Sequence, residues 1–387
     1  MTGTVNVCDV GRKTVWPVPQ SEVTEDLLVA AISLPGVMPL VEHGGRRYTD
    51  AVWIKDANLW ACVRRGAEEL WLVWCIGNAD DWRGGPLDQY VHMIELSAGG
   101  ALNEELDRIR ELNGRIAAGD SPYGQRGPVR LHVVCPEHPL PLDPDFFAGR
   151  ITAAELVARG YADAYRTLRA RTPEGTPLTP AATQMSHALG IAFRETMSGP
   201  FALAESDPEE GAAAGRRTDT TLALHASIAV PDLAAFEADP DHAGEITGEV
   251  EFAPFGGRMR VTHGRFNLFE PADPPGRKRM VYEVGFRRER RCYYLAGHKD
   301  VHDDPGFDLW ADTTTLYTTL HEGDDAGGPI VGAGILSLGV ADLARLVSTI
   351  RATGADGVGD RASAVAAFGR FFLGELWDAY ARHATDA

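Results

Sequence analysis

The sequence predicts two units, an α/β layer followed by a β-rich sandwich or barrel that ends in helices. Three observations carry this reading. Through residue 172, strand-like runs alternate with amphipathic helical stretches, the pattern of an α/β layer. Beyond residue 220, seven short alternating segments follow one another between turn signals, as antiparallel strands do. Between the two regions stands TPEGTPLTPAAT, Thr172 to Thr183, whose three prolines and one glycine mark a linker. The expected division is 1–172 and 173–387, since 387 residues exceed what one hydrophobic core usually serves.

The elements follow in order. Val5 to Val10 and Thr14 to Val18 flank the turn GRK as a hairpin. A helix from Thr24 to Ile32 stops at Pro35 and Gly36, because proline lacks the N–H of the ladder and biases its predecessor toward extended backbone. GGRRYTDA brings Asp50 to a turn, and a short helix, Asn58 to Arg65, ends at Gly66. LWLVWCIG reads as a buried strand. Leu102, Leu106, Ile109, Leu112 and Ile116 recur at three- and four-residue steps and give one apolar helical face. Thr152 and Glu155 form a capping box that opens another helix, with Leu156, Tyr161, Tyr165 and Leu168 inward, closing the first unit. Past the linker a helix is expected at Ala181 to Met197, and ESDPEEGAAAGRR reads as a surface loop. The strand segments are TLALHASIAV, GEVEFA, GRMRVTHGRFNLF, RMVYEVGFR, RCYYLAGHK, TTLYTTLHEG and PIVGAGILSL. Two helices close the chain, the second with Val365, Phe368, Phe372, Leu376 and Tyr380 on one stripe.

Composition narrows the function. A formal net charge of -18 repels a phosphate backbone, so nucleic acid is not an expected partner. Cys8, Cys62, Cys75, Cys135 and Cys292 are odd in number and form no C-x-x-C pair, which points to a reducing compartment. The N-terminal residues lack the basic-then-apolar layout of a signal peptide, and the apolar runs are too short or too broken to span a bilayer, so a cytoplasmic location is expected. Peripheral membrane contact stays open.

AAISLPGVMPLV followed by GGRRYTDA resembles the patatin-like phospholipase family, in which a Pro-Gly segment leads to a turn holding the catalytic aspartate. RRGAEELWLVWCIG resembles the family's turn into its next central strand, and Asn103 to Ile116 and Pro141 to Leu168 continue in its style. The resemblance covers residues 5–168. It implies a partial patatin-like three-layer α/β domain and lipid acyl-ester hydrolysis by a Ser/Asp dyad, with Asp50 as the catalytic acid. It implies no metal and no organic cofactor.

The sequence departs from that pattern at the nucleophile. None of its eleven serines sits in G-x-S-x-G, and the glycine-rich oxyanion loop is missing. Ala51 follows the acid where the family has glycine, Asp56 stands for asparagine and Asn58 for proline. The expectation is a half-domain inactive on its own, completed by a polypeptide carrying the G-x-S-x-G half, acting on a lipid or sterol ester. Its uncovered sheet is expected to drive homo-oligomerisation. The residues alone leave Asp50 a second role, an Asx-turn residue bonded to its own backbone.

In the second unit, FRETMSGPFAL, GRFNLF, DDPGFDLWADTTTLYTTLHEG and FGRFFLGELWDAY resemble an accessory domain found beside cholesterol-oxidase-like oxidoreductases and α/β-hydrolases in actinobacterial multidomain proteins. That implies the rival function, a non-catalytic lipid- or sterol-binding accessory protein. Several residues compete for attention here. His298, Asp300 and His302 alternate by two and would share a strand face, a metal-ligand spacing set against a solvated strand end. VGAGILSLG has the glycines of a phosphate loop but no ribose-binding acid. Phe266, Phe269, Tyr282, Phe286, Tyr293, Tyr294, Trp310 and Tyr317 read as core or as the lining of a lipid pocket. His225, His263 and His321 read as hydrogen-bonded or surface groups. Trp60, Trp71, Trp74 and Trp82 read as packing, with Trp82 a candidate lipid contact.

Overall fold

The computed structural model describes residues 3–77, 85–136, 151–185, 188–272, 277–301, 314–354 and 358–381. Two compact units divide the chain, Met1–Leu140 with Ala170–Ser186, and Pro141–Arg169 with His187–Ala387.

In the first unit, β1 (Thr4–Asp9) and β2 (Thr14–Pro19) form the expected hairpin. Its turn is fixed by Asp9, whose Oδ1 accepts from the N–H of Gly11 and Arg12 at 3.1 and 3.0 Å. Helix α1 (Glu25–Ala30) is capped by the Thr24 hydroxyl, and β3 (Val41–His43) and β4 (Arg46–Asp50) complete an antiparallel sheet of order β2-β1-β4-β3. Val7, Val18, Leu27, Ala30 and Tyr48 form its small core.

A larger core follows. Helix α2 (Leu59–Val63), β5 (Glu69–Val73), α3 (Pro86–Ala117) and β6 (Arg130–Val134) bury Val63, Leu70, Leu102, Leu106, Ile109 and Leu131 together. β5 and β6 are parallel, and the connection between them carries α3, as a parallel crossover requires. The LWLVWCIG strand is buried on one face only. Leu70 and Leu72 turn inward, whereas Trp71 and Val73 are 40% and 75% exposed. The proline-rich stretch is no free tether. Thr176 donates its N–H to the Leu131 carbonyl, and its Oγ1 accepts from the Val133 N–H at 3.2 Å.

In the second unit, α4 (Ala153–Ala170) shows the expected cap, the Glu155 N–H donating to the Thr152 hydroxyl at 3.2 Å. The helix groups with this unit and not with the first, so the division falls differently from a single cut at residue 172. Charge explains the grouping. Glu155 is buried and meets Arg351 at 2.6 Å, Arg159 at 3.8 Å and Arg194 at 3.9 Å.

The helix expected at 181–197 is a correction. Only the single turn Pro180–Thr183 is helical, and β7 (Gly190–Leu203) follows, because Ile191, Phe193, Glu195 and Met197 alternate into the core with period two. The expected loop ESDPEEGAAAGRR is also corrected, to helix α5 (Pro208–Thr218). Asp207 accepts from the N–H of Glu209 and Glu210 at 2.9 and 3.0 Å, and Pro208 takes the first turn.

The remaining strands are β8 (Thr221–Val230), β9 (Ala243–Phe252), β10 (Gly257–Ala272), β11 (Arg277–Arg288), β12 (Arg291–Val301), β13 (Thr315–Glu322) and β14 (Ile330–Ser337), with helix α6 (Leu233–Ala238) between β8 and β9. Each pairs antiparallel with its predecessor, and β14 pairs back onto β7 from Gly332↔Leu203 to Ser337↔Ser198. This is a closed eight-stranded up-and-down barrel, which leaves no free edge between its strands. Of the sandwich and the barrel, the chain forms the barrel.

Helix α5 covers the closing seam. A Cβ on Gly211 would lie 2.2 Å from the Ala333 carbonyl oxygen and one on Gly215 2.4 Å from the Phe201 nitrogen, so only glycine permits this approach. Helix α7 (Val340–Thr349), β15 (Arg351–Thr353) and α8 (Val358–Ala381) follow; β15 pairs antiparallel with the start of β7, and Phe368 of α8 packs with Phe193 and Phe236 in the barrel core. Among the described residues no helix is long and apolar enough to cross a membrane.

Candidate functional site

Two places bring chemically active groups together, one in each unit. In the first, β4 ends at Asp50, held by its register with Val7 and by its N–H donating to the Ser33 carbonyl at 3.0 Å. The side chain caps the 3-10 turn Ala51–Trp53, its Oδ1 accepting from the Val52 N–H at 2.8 Å. That is an Asx turn. Burial pushes the half-buried carboxyl up from 3.8 to about 6, the Val52 N–H opposes the rise and the negative charge of Asp56 adds to it.

The apolar stretch ahead of Asp50 thus has a local purpose. Pro35 and Gly36 end the helical run and the Ser33 carbonyl takes both the Asp50 N–H and the Thr49 hydroxyl, fixing the strand end that carries the acid. Two hydroxyls approach this region, and both are committed elsewhere. Ser33 donates to the Val29 carbonyl at 2.7 Å and Ser97 to the Val52 carbonyl at 2.9 Å. Among the described residues no serine hydroxyl donates to Asp50, and nothing donates to its Oδ2. A base without a nucleophile is what the geometry presents.

The second place lies inside the barrel. Eight strands enclose an interior just wide enough to be filled by side chains or to hold one small ligand. Here the inward positions are almost all apolar, among them Met197, Leu224, Ile246, Val261, Val284 and Leu316. Among the described residues, one interacting group of polar side chains breaks the pattern, Glu195, Tyr282 and Lys299, exposed by 4%, 3% and 2%; Thr318 also faces inward but donates its hydroxyl to the Gly334 carbonyl at 2.7 Å. The Lys299 ammonium lies 3.9 Å from Glu195 Oε2, donates to the Tyr282 hydroxyl oxygen at 3.3 Å and sits 4.6 Å from the centre of that ring. Glu195 Oε1 is buried and has no hydrogen-bond partner. Burial pushes the Lys299 amine down against the opposing pull of Glu195, and burial followed by Glu195 pushes the Tyr282 phenol far up.

Small residues make room for these long side chains. In the ladder, Glu195 faces Ala226 and Ala226 faces Gly248; Tyr282 faces Gly297, Gly297 faces Thr318 and Thr318 faces Gly334. Gly248 has φ +137° and a Cβ there would lie 2.0 Å from the His225 carbonyl oxygen, so no larger residue fits.

The other sequence candidates resolve as follows. His298 and Asp300 share the outer face of β12, but Asp300 pairs with Arg279 at 2.9 Å and His298 stacks on Tyr317. A guanidinium already holds the carboxylate a cation would need. His302, Trp310 and Trp82 lie outside the described residues. Of the three glycines of VGAGILSLG, Gly332 and Gly334 sit within β14 and give space to the Phe201 ring, and Gly339 is the N-cap of α7. Phe266, Tyr282, Phe286 and Tyr293 belong to the barrel core, Phe269 packs on Phe372, and Tyr294 donates to Glu283 at 2.9 Å. His225 bonds Glu251 and Thr196, His263 bonds the Asp324 carbonyl and stacks on Tyr165, and His321 bonds Thr319 and the Gly328 carbonyl. Trp74 is buried, Trp60 packs edge-on against Tyr123 and Trp71 stacks on His132.

Glu195, Tyr282 and Lys299 were not singled out as a group by sequence reasoning. The signal was present in Tyr293, Leu295, Gly297 and Lys299, whose period of two places the lysine on the apolar face. No known protein family, curated protein or solved structure matches the chain.

Proposed function

We propose that the chain is a lipid-handling protein whose ligand-bearing part is the barrel, and that its α/β unit is a patatin-like scaffold without hydrolytic activity of its own. The observation that carries this reading is the Glu195–Tyr282–Lys299 cluster in an apolar lumen, with one carboxylate oxygen unmatched. Apolar walls with a few convergent polar groups suit a long apolar molecule with a single polar end. The resemblance of the second unit to accessory domains beside lipid- and sterol-acting enzymes supports the same ligand class. The five cysteines, scattered and without a C-x-x-C pair, support a reducing, cytoplasmic setting. The test is displacement of an environment-sensitive apolar dye from the intact protein by dodecanol and by cholesterol. Displacement by either, saturating at one equivalent, supports the reading; displacement by neither refutes it.

A second reading keeps the patatin-like chemistry, with Asp50 the acid of a Ser/Asp dyad completed by a polypeptide that carries the G-x-S-x-G half. The half-buried Asp50 carboxyl with a free Oδ2 favours it. Loss of a serine nucleophile costs on the order of 10⁶ in turnover, so the chain alone is expected to leave a fluorophosphonate probe and a short-chain p-nitrophenyl ester untouched. Labelling of the isolated chain overturns this assignment. The exposed Trp71 and Val73 on β5 support self-association, to be read by sizing chromatography; a monodisperse monomer counts against it.

A further inference from the structure

The amine of Lys299 is buried inside the barrel. Only four lysines, Lys13, Lys55, Lys278 and Lys299, stand among the chain's 37 basic residues. Around Glu155 the chain builds its buried charge contacts from arginine. Arginine keeps its proton at all working pH values, whereas a buried lysine can give it up. Lys299, 2% exposed, is of the residue type that can become a neutral amine, and it stands beside a carboxylate and a phenol.

We propose that Lys299 is a covalent attachment point for a carbonyl-bearing apolar molecule, a long-chain aldehyde or ketone, held in the barrel as a Schiff base; this rests on the reading of the barrel as the ligand-binding part. Glu195 takes the ammonium proton, leaving the amine lone pair free. The Lys299 nitrogen then attacks the carbonyl carbon, the carbonyl π electrons pass to oxygen, and that oxygen receives the proton carried by Glu195 to give the carbinolamine. The nitrogen returns a proton to Glu195, which delivers it to the hydroxyl, and the C–O bond breaks with loss of water. The sum is amine plus carbonyl giving imine plus water, with no oxidant or reductant. Glu195 Oε2 lies 3.9 Å from the amine whose proton the carboxylate takes, its Oε1 is buried without a partner, and Tyr282 orients the amine.

The surroundings suit an apolar tail. From Tyr282 a chain of ring contacts runs to Phe266 at 5.1 Å, from Phe266 to Phe193 at 6.4 Å, and from Phe193 to Phe368 of α8 at 6.0 Å. Aromatic and aliphatic groups therefore surround the amine, and the burial that lowers the amine's basicity is the same burial that would exclude water from an imine.

The test uses the intact protein, dodecanal as the reactive probe and dodecanol as its unreactive analogue. After incubation with dodecanal, borohydride reduces any imine to a stable secondary amine, and peptide mapping finds the dodecyl group. The expected result is one dodecyl group on Lys299, with Lys13, Lys55 and Lys278 largely unmodified, and loss of the adduct when dodecanol is in excess. Lys299→Arg keeps the charge but forms no imine, and is expected to lose the adduct. If dodecanol displaces the apolar dye but Lys299 stays unmodified, the covalent proposal is overturned while the binding reading stands. If neither occurs, both fall. Label on Lys299 that excess dodecanol leaves unchanged also overturns it, and the wild-type map decides even where the variant does not fold.

Discussion

Replacing Asp50 with asparagine separates its turn role from its charge. Asparagine keeps an Oδ1 that accepts from the Val52 N–H, so the turn is retained, while the ionisable group is lost. The carboxyl is raised from 3.8 to about 6 by burial. The sign follows from which state holds the proton. Below pH 4 both the folded and unfolded carboxyls are protonated; between pH 4 and 6 the unfolded one ionises first; above pH 6 the folded state carries a desolvated charge. Stability attributable to this group therefore falls as pH rises through that window. A rise from 3.8 to about 6 corresponds to about 3 kcal/mol, which screening at a half-exposed site reduces to about 1 to 2 kcal/mol. Asp50→Asn is thus expected to be more stable than the wild type by about 1 to 2 kcal/mol at pH 7 and equal to it at pH 4. The assay is paired thermal or urea unfolding at pH 4, 5, 6 and 7. The difference between the two proteins cancels titrations common to both, including that of Asp163, which burial also raises to about 6. A variant no more stable than wild type at pH 7, or a gap that widens toward pH 4, refutes the reasoning.

Three further substitutions probe the scaffold and the barrel. Glu105 accepts from the Leu59 and Trp60 N–H groups at 2.8 and 3.3 Å and pairs with Lys55, so Glu105→Ala is expected to cost about 2 to 4 kcal/mol in urea unfolding; a cost near zero would show that α2 does not depend on this cap. Gly215→Val places side-chain carbon against the Phe201 backbone and is expected to cost about 3 kcal/mol or more, with loss of near-ultraviolet signal from the barrel aromatics; a wild-type melt would contradict the seam packing. Lys299→Met strands Glu195 in the lumen at an expected cost of about 3 to 5 kcal/mol, and a second change, Glu195→Leu, is expected to restore most of it; failure of that rescue in calorimetry would mean the pair is not energetically coupled.

The barrel strands were legible because period-two alternation with turn residues between runs is a local signal, and all seven expected segments are strands. β7 was misread because IAFRETM mixes helix-favouring residues, and only closure against β14 reveals that Glu195 belongs to an inward row. Helix α5 was misread for the opposite reason. PEEGAAAGRR has a proline start and an aspartate cap, but its two glycines look like loop residues until β7 and β14 lie beneath them. The grouping of α4 was hidden because Glu155 was read for its cap, whereas its buried carboxylate meets Arg351, 196 positions away. The Asp50 turn was visible in RRYTDA itself, since an Asx turn needs only the acid and the N–H two residues on. The cluster in the lumen was not, because its members come from three strands and their convergence depends on the shear of a closed sheet.

The two buried acids of the second unit set the argument for a working lumen. Glu155 meets three guanidinium groups, an arrangement that holds the ends of distant segments together. Glu195 meets one amine at 3.9 Å and a phenol, and its other oxygen is bare. Taking such a pair out of water costs several kcal/mol per ion, and an apolar replacement of similar volume is often neutral or stabilising. Stability alone therefore gives no reason for a barrel to carry the pair. A ligand whose polar end occupied the unmatched oxygen would supply the reason. On that argument saturating dodecanol is expected to raise the melting temperature of the wild type more than that of Lys299→Met/Glu195→Leu, whose lumen has lost the buried ion pair.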